Sequence, residues 1–148
     1  MAPDAVSQLS SLLSSVEHVI SYQPLRTEVS ISLFIPENTQ VHLIPARASL
    51  DPHEIAGAMK DAVGESSCAI LIPGRQFDAS GTRHGQGGGW YDRFLAEVPR
   101  QWLRIGFCYD DQFSEAPLVR QSWDQAMDYV VVMNRTGRGV TIYSSESV

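Results

Sequence analysis

The chain has 148 residues, 43% of them hydrophobic and 19% charged, enough for one domain over residues 1–148 with a buried core and nothing to mark a second. Its formal net charge of -6 opposes general binding to a nucleic-acid backbone or an anionic membrane, so any anion site must be local. No long apolar run and no basic-then-apolar leader is present, which predicts a soluble cytoplasmic protein with neither a transmembrane helix nor a secretory signal.

Residues from Asp4 to about Tyr22 carry Leu9, Leu12, Leu13, Val16, Val19 and Ile20 at three- and four-residue steps, the pattern of an amphipathic helix that Pro24 would stop. Val29 to Ile35 alternates apolar and polar residues, Pro36 to Thr39 reads as a turn, and Gln40 to Ile44 as the return strand of a hairpin. His42 falls on the polar side of that alternation and is expected at the surface. A second helix follows, with Asp51 as N-cap, Pro52 at its first position, Glu54 closing a capping box, Ile55, Met59, Ala62 and Val63 on one face, and Gly64 as its stop. Cys68 to Ile72 is apolar throughout, as a central strand covered on both faces must be. Trp90 to Glu97 is expected as a helix, and Leu103 to Tyr109 and Tyr129 to Met133 as strands. Gly139 to Tyr143 would add an edge strand before a loose tail. Strand, helix and strand in alternation imply an α/β fold with a largely parallel sheet, its site at the carboxyl ends of the strands. Cys68 and Cys108 both sit in apolar runs and read as small buried hydrophobes, and Asp128 as a structural residue that introduces the last apolar strand.

Five of the 11 glycines fall between Gly81 and Gly89, beyond the turn that follows the central strand and directly before a helix. Glycine is a conformational cost unless positive φ or close approach demands it. A strand, a Gly-rich loop and a helix start together form a cradle in which backbone N–H groups and the helix dipole converge on an anion such as phosphate. Lys60 is the only lysine, so Arg83 and Arg75 would have to supply the charged contacts. The spacing fits neither a Walker loop nor a Rossmann fingerprint. Asp92 and Asp124 are the carboxylates available to a hard divalent ion beside phosphate; the alternative is that Asp92 caps a helix turn or pairs with Arg93 or Arg83, and that Asp124 is an ordinary loop acid. Trp90 and Tyr91 either stack on a flat heterocycle or pack the core, and His84 is an acid–base group, a phosphate contact or a solvated side chain.

The run Pro73-Gly-Arg-Gln-Phe-Asp-Ala-Ser-Gly-Thr-Arg-His-Gly-Gln-Gly-Gly-Gly-Trp-Tyr-Asp-Arg-Phe-Leu95 resembles the signature P-G-x-x-F-D-x-x-G-x-R-L-G-x-G-x-G-Y-Y-D of the 5-formyltetrahydrofolate cyclo-ligase family, the 5,10-methenyltetrahydrofolate synthetases. Ile105-Gly-Phe-Cys-Tyr-Asp-Asp-Gln-Phe and Asp124-Gln-Ala-Met-Asp-Tyr-Val130 look like that family's last strands. The resemblance covers residues 68 to 133. It implies a three-layer α/β/α sandwich of the cyclo-ligase, NagB-RpiA-CoA-transferase-like kind. It also implies an ATP- and Mg²⁺-dependent reaction, in which the formyl oxygen of 5-formyltetrahydrofolate is phosphorylated and N10 closes the methenyl ring. On this resemblance Arg83 and Tyr91 take the catalytic assignment. Arg83, His84, Gly85, Gln86, Gly87, Gly88, Gly89, Trp90 and Tyr91 form the nucleotide- and folate-contacting loop, and Asp92 and Asp124 hold Mg²⁺. His84 stands where the pattern has Leu, and Trp90 where it has Tyr. The chain starts past the family's basic N-terminal helix, and Glu28 meets folate in only one of two alignments of the N-terminal half. Three readings stay open, in this order: a shortened cyclo-ligase whose missing contacts come from the partner subunit of a homodimer or are dispensed with, a module that holds a folate, nucleotide or other phosphate without turnover, and a remnant domain with only a structural role.

Overall fold

The computed structural model describes residues 4–22, 35–44, 50–85, 89–136 and 139–145. Helix α1 spans Ala5–Ser14 and is capped by Asp4, whose carboxylate accepts the Ser7 N–H at 2.7 Å. The helix is shorter than its periodicity suggests: Ser15 closes it, and His18–Tyr22 forms a strand, β1. Val19 and Ile20 are therefore not successive positions of one helical stripe. They face opposite sides of the sheet, Val19 into one core and Ile20 into the other.

Strand β2, Gln40–Ile44, pairs in parallel with β1, Ile20 standing opposite His42. The expected partner strand over Val29–Ile35 lies outside the described residues except for Ile35, as do Pro24 and Glu28. Helix α2, Pro52–Val63, begins at Asp51 and Pro52 as expected and stops at Gly64, whose φ is 61°, but the Asp51 carboxylate accepts the His53 N–H at 3.0 Å and the capping box expected with Glu54 is not formed. Its buried residues are Pro52, Ala56, Met59 and Val63; Ala62, expected with them, is exposed. Strand β3, Cys68–Pro73, is buried at every residue and lies between β1 and β6, Leu103–Tyr109. Strand β8, Tyr129–Met133, continues the sheet in parallel, and β9, Val140–Ser144, closes it as an antiparallel edge, giving the order β2-β1-β3-β6-β8-β9. Before β8, Asp128 accepts the Arg104 main-chain N–H at 2.8 Å and pairs with Arg100 at 2.9 Å, the structural role expected of it.

The sheet separates two cores. Leu9 and Leu13 of α1 meet Val19, Ala69, Leu71, Ile105 and Phe107 on one face. On the other, α2 and helix α3, Trp90–Glu97, cover Ile20, Ile70, Ile72 and Val130. This is the three-layer α/β/α arrangement with a mainly parallel sheet. Cys68 and Cys108 are buried and unpaired, one in each of two inner strands, and burial pushes both thiols up to about 12. No described helix is long and apolar enough to cross a membrane.

Two features have no counterpart among the elements expected from the sequence. A small second sheet, β5-β4-β7, is built from Gln76–Asp78 (β4), Arg83–His84 (β5) and Phe113–Ser114 (β7) beyond the carboxyl ends of β3 and β6. It can sit against the main sheet because Gly106 has no side chain: a Cβ there would lie 2.3 Å from the Phe77 ring. The second is the partnership of His42, which is not simply solvated. His18 Nδ1 and His42 Nε2 are 2.9 Å apart, with ring centroids 5.2 Å apart and planes within 10°. That centroid separation is about as large as the nitrogen contact permits. The rings therefore meet edge to edge, an N–H of one directed at the lone pair of the other.

Candidate functional site

Beyond β3 the chain turns at Pro73 and Gly74 and re-enters as β4, and buried Asp78 pins the turn over residues 79–82. One of its oxygens accepts the Ser80 N–H (3.0 Å), the Ser80 hydroxyl (2.7 Å) and the Thr82 N–H (3.0 Å); the other accepts the Leu118 N–H (2.7 Å). Burial pushes the Asp78 carboxyl up, but these hydrogen bonds to its charged form outweigh that and hold it below the ordinary range. Arg120 closes the same knot, donating from Nη2 to Thr82 Oγ1 at 2.8 Å. Sequence reasoning gave Asp78 no role beyond its place in the motif. The spacing Asp78-Ala-Ser-Gly-Thr82, typical of a side chain that caps its own turn, was the available signal.

With the loop pinned, β5 sends Arg83 and His84 to opposite sides. Arg83 turns inward: its Nε donates to the Pro73 carbonyl at the end of the central strand at 2.6 Å, and its guanidinium carbon lies 4.9 Å from the centre of the Tyr91 ring. Gly85 sits against the same guanidinium, where a Cβ would come within 2.7 Å of Nη2. Arg83, Gly85 and Tyr91 are thus brought together at the carboxyl end of β3. His84 turns away and meets the Val119 carbonyl at 2.8 Å. A carbonyl only accepts, so Nε2 carries the hydrogen of this contact.

Gly89 opens α3 in the left-handed conformation, φ 65° and ψ 29°, with no side chain capping the first turn. Trp90 is held at its start: the indole N–H donates to the Leu50 carbonyl at 2.8 Å, and the ring stacks on Phe94 with centroids 5.4 Å apart. Trp90 therefore packs on the core, while the partly buried Tyr91 meets Trp90 edge to face and also faces Arg83. Gln86, Gly87 and Gly88, the centre of the predicted cradle, lie outside the described residues.

The two candidate metal carboxylates are linked through the backbone. Asp92, in the first turn of α3, accepts the Gln125 N–H on Oδ1 at 3.0 Å. That N–H belongs to the peptide joining Asp124 to Gln125, so the carboxylate of Asp92 rests on the backbone immediately after Asp124. Asp124 accepts the Gln121 N–H on Oδ2 at 2.8 Å and closes a turn over residues 121–124. Each carboxylate spends one oxygen on a main-chain donor, and among the described residues the other oxygen of each accepts no hydrogen bond. No group of three or more metal-binding side chains exists among the described residues. The oxygen left over on each carboxylate is a hard donor of the kind taken by an ion that completes its shell with water and phosphate oxygens, as Mg²⁺ does.

Comparison with known proteins places these elements in a family. Residues 52–133, from the start of α2 to the end of β8, match the model of the 5-formyltetrahydrofolate cyclo-ligase family. A 5-formyltetrahydrofolate cyclo-ligase of Mycoplasma genitalium is 35% identical over 62 residues, 42% of this chain and 36% of that protein. The chain thus spans little more than a third of that relative's length in the match. The enzyme of the same name from Mycoplasma pneumoniae is 26% identical over 121 residues, 78% of this chain and 73% of that protein. Among solved structures, the 5,10-methenyltetrahydrofolate synthetase of Aquifex aeolicus superposes with a TM-score of 0.58 at 22% identity, covering 95% of this chain and 80% of that one. The synthetase from Mycoplasma pneumoniae superposes with a TM-score of 0.55 at 20% identity, covering 86% and 80%. At these identities the superpositions speak for the fold.

Proposed function

The chain belongs to the 5-formyltetrahydrofolate cyclo-ligase family, and from that premise we propose that it binds ATP with Mg²⁺ and converts 5-formyltetrahydrofolate to 5,10-methenyltetrahydrofolate. The observation that carries the proposal is Arg83. A buried guanidinium is held on the last carbonyl of the central strand, against Tyr91, the residue before Asp92. In this reading Arg83 recognises a phosphate, and because it is already oriented it gives up little further freedom on binding. Tyr91 walls the pocket beside it. The glycines let main-chain N–H groups approach the transferring phosphoryl group, and the start of α3 adds partial positive charge.

Asp92 and Asp124 would hold Mg²⁺ through the oxygens that the main chain leaves over. The ion supplies charge neutralisation on phosphate oxygens, where most of the catalysis of phosphoryl transfer resides. His84 serves orientation of the 115–120 segment through Val119, since its Nε2 hydrogen is already committed to that carbonyl.

The test is direct. Pure protein with 5-formyltetrahydrofolate, Mg²⁺ and ATP should show growth of the methenyl absorbance, dependent on all three. No growth at high protein concentration, with ATP or folate binding still measurable by calorimetry, removes turnover and leaves a binding module. Absence of binding by either ligand overturns both readings.

A further inference from the structure

Arg104 stands on the second residue of β6, and only 2% of it is exposed. Its charge meets no carboxylate within ion-pair distance among the described residues. Instead Nη1 donates to Gln125 Oε1 at 2.8 Å and Nη2 to the Leu95 carbonyl at 3.0 Å, while Nε has no partner among the described residues. Asp128, the nearby acid, is occupied by the Arg104 main-chain N–H and by Arg100. Burial, with Arg100 nearby, lowers the guanidinium to about 10 against the opposing pull of Asp128. A buried cation with one donor unmet is a costly way to fill a core, and an apolar side chain would pack there more cheaply.

What the guanidinium joins gives it a purpose. Leu95 belongs to α3, the helix whose first turn carries Asp92. Gln125 belongs to the segment that carries Asp124, and its own N–H is the one on Asp92 Oδ1. Both elements that bear the two carboxylates are therefore tied to a single side chain on the rigid sheet, and Gln125 is the connector, its amide on Arg104 and its main chain on Asp92. We propose that Arg104, acting through Gln125, is a positioning residue that fixes the distance between Asp92 and Asp124 and so sets the affinity of the site for a divalent ion. The proposal rests on the reading of those two acids as the Mg²⁺ ligands.

Calorimetric titration of ATP at a series of Mg²⁺ concentrations tests it in the full chain. Gln125→Ala removes the connector's side chain and leaves its N–H on Asp92. The Mg²⁺ concentration for half-maximal nucleotide binding should rise roughly tenfold, the usual effect of losing an outer-shell partner, with nucleotide binding in the absence of Mg²⁺ unchanged. Gln125→Glu, which keeps an oxygen for Arg104, should restore the wild-type midpoint or lower it. Arg104→Met should raise the midpoint at least as far as Gln125→Ala. If the midpoint is unmoved in Gln125→Ala while the wild type responds to Mg²⁺, the positioning role is wrong even if the variant melts earlier, and Arg104 is structural only. Should Arg104→Met fail to fold, the Gln125 pair decides alone. A wild type whose nucleotide binding ignores Mg²⁺ brings down both the proposal and the metal reading beneath it.

Discussion

Gly81 has φ 90°, and a Cβ built on it would stand 2.4 Å from the Met127 carbonyl, a main-chain atom that cannot swing aside. Its own carbonyl accepts the Met127 N–H at 2.9 Å, so the β4–β5 turn and the segment before β8 are locked together at this one residue. Gly81→Ala should therefore lose about 2–3 kcal/mol of stability, from left-handed strain and displacement of Met127 combined, read as a lower urea midpoint with an unchanged slope. An unshifted midpoint would show that the turn relaxes freely. The glycine cluster was legible in the sequence as a loop needing unusual backbone, but its members proved to have separate tasks. Gly81 is a packing glycine, Gly85 makes room for Arg83, and Gly89 starts a helix. These tasks are set by neighbours far along the chain, Met127 among them, and no local pattern announces such contacts.

Among the elements, the second helix was readable almost to the residue because its signals are local: an Asp, a Pro and a terminal Gly at fixed offsets. Asp51→Ala should cost about 1 kcal/mol by leaving the His53 N–H without its acceptor, measurable by chemical denaturation; a variant as stable as wild type would mean that water replaces the cap. The boundary between α1 and β1 was not readable in the same way. Leu9, Leu13, Val16 and Ile20 fit a helical period, and no Gly or Pro separates the helix from the strand. What decides the matter is burial on both faces: His18–Tyr22 is buried at every residue between β2 and β3, which a surface helix cannot be. The strands of the small sheet are two or three residues long, too short for alternation to show, and depend on the gap above Gly106. Arg104 escaped notice for a related reason. A single charge in an apolar strand looks like an exposed position until the structure shows α3 and Gln125 above it.

Across the whole molecule, the parallel sheet, the two-faced core and the placement of α3 at the carboxyl end of β3 all followed from strand and helix alternation. The residues that organise the site sit where distant segments converge: Asp78 on Leu118, Asp92 on Gln125 and His84 on Val119. The chain from Glu115 to Asp128 has no regular secondary structure, yet it supplies a partner to each of these three.

The edge-to-edge histidines add to the β1–β2 ladder a side-chain link made of a single hydrogen between two nitrogens. Such a contact can carry one positive charge, but a second proton leaves N–H facing N–H. Burial, and then the neighbouring His18, depress the His42 pKa below its ordinary 6.5, so on acidification the unfolded chain takes up a proton before the folded one does. The pair's contribution is therefore intact above pH 6.5 and is lost as pH falls below that value toward the folded pKa. Urea midpoints at about pH 7.5 and about pH 5.5 should fall further in wild type than in His42→Gln, and equal falls would assign the acid sensitivity elsewhere. Mild acid should accordingly loosen the β1–β2 border of the sheet.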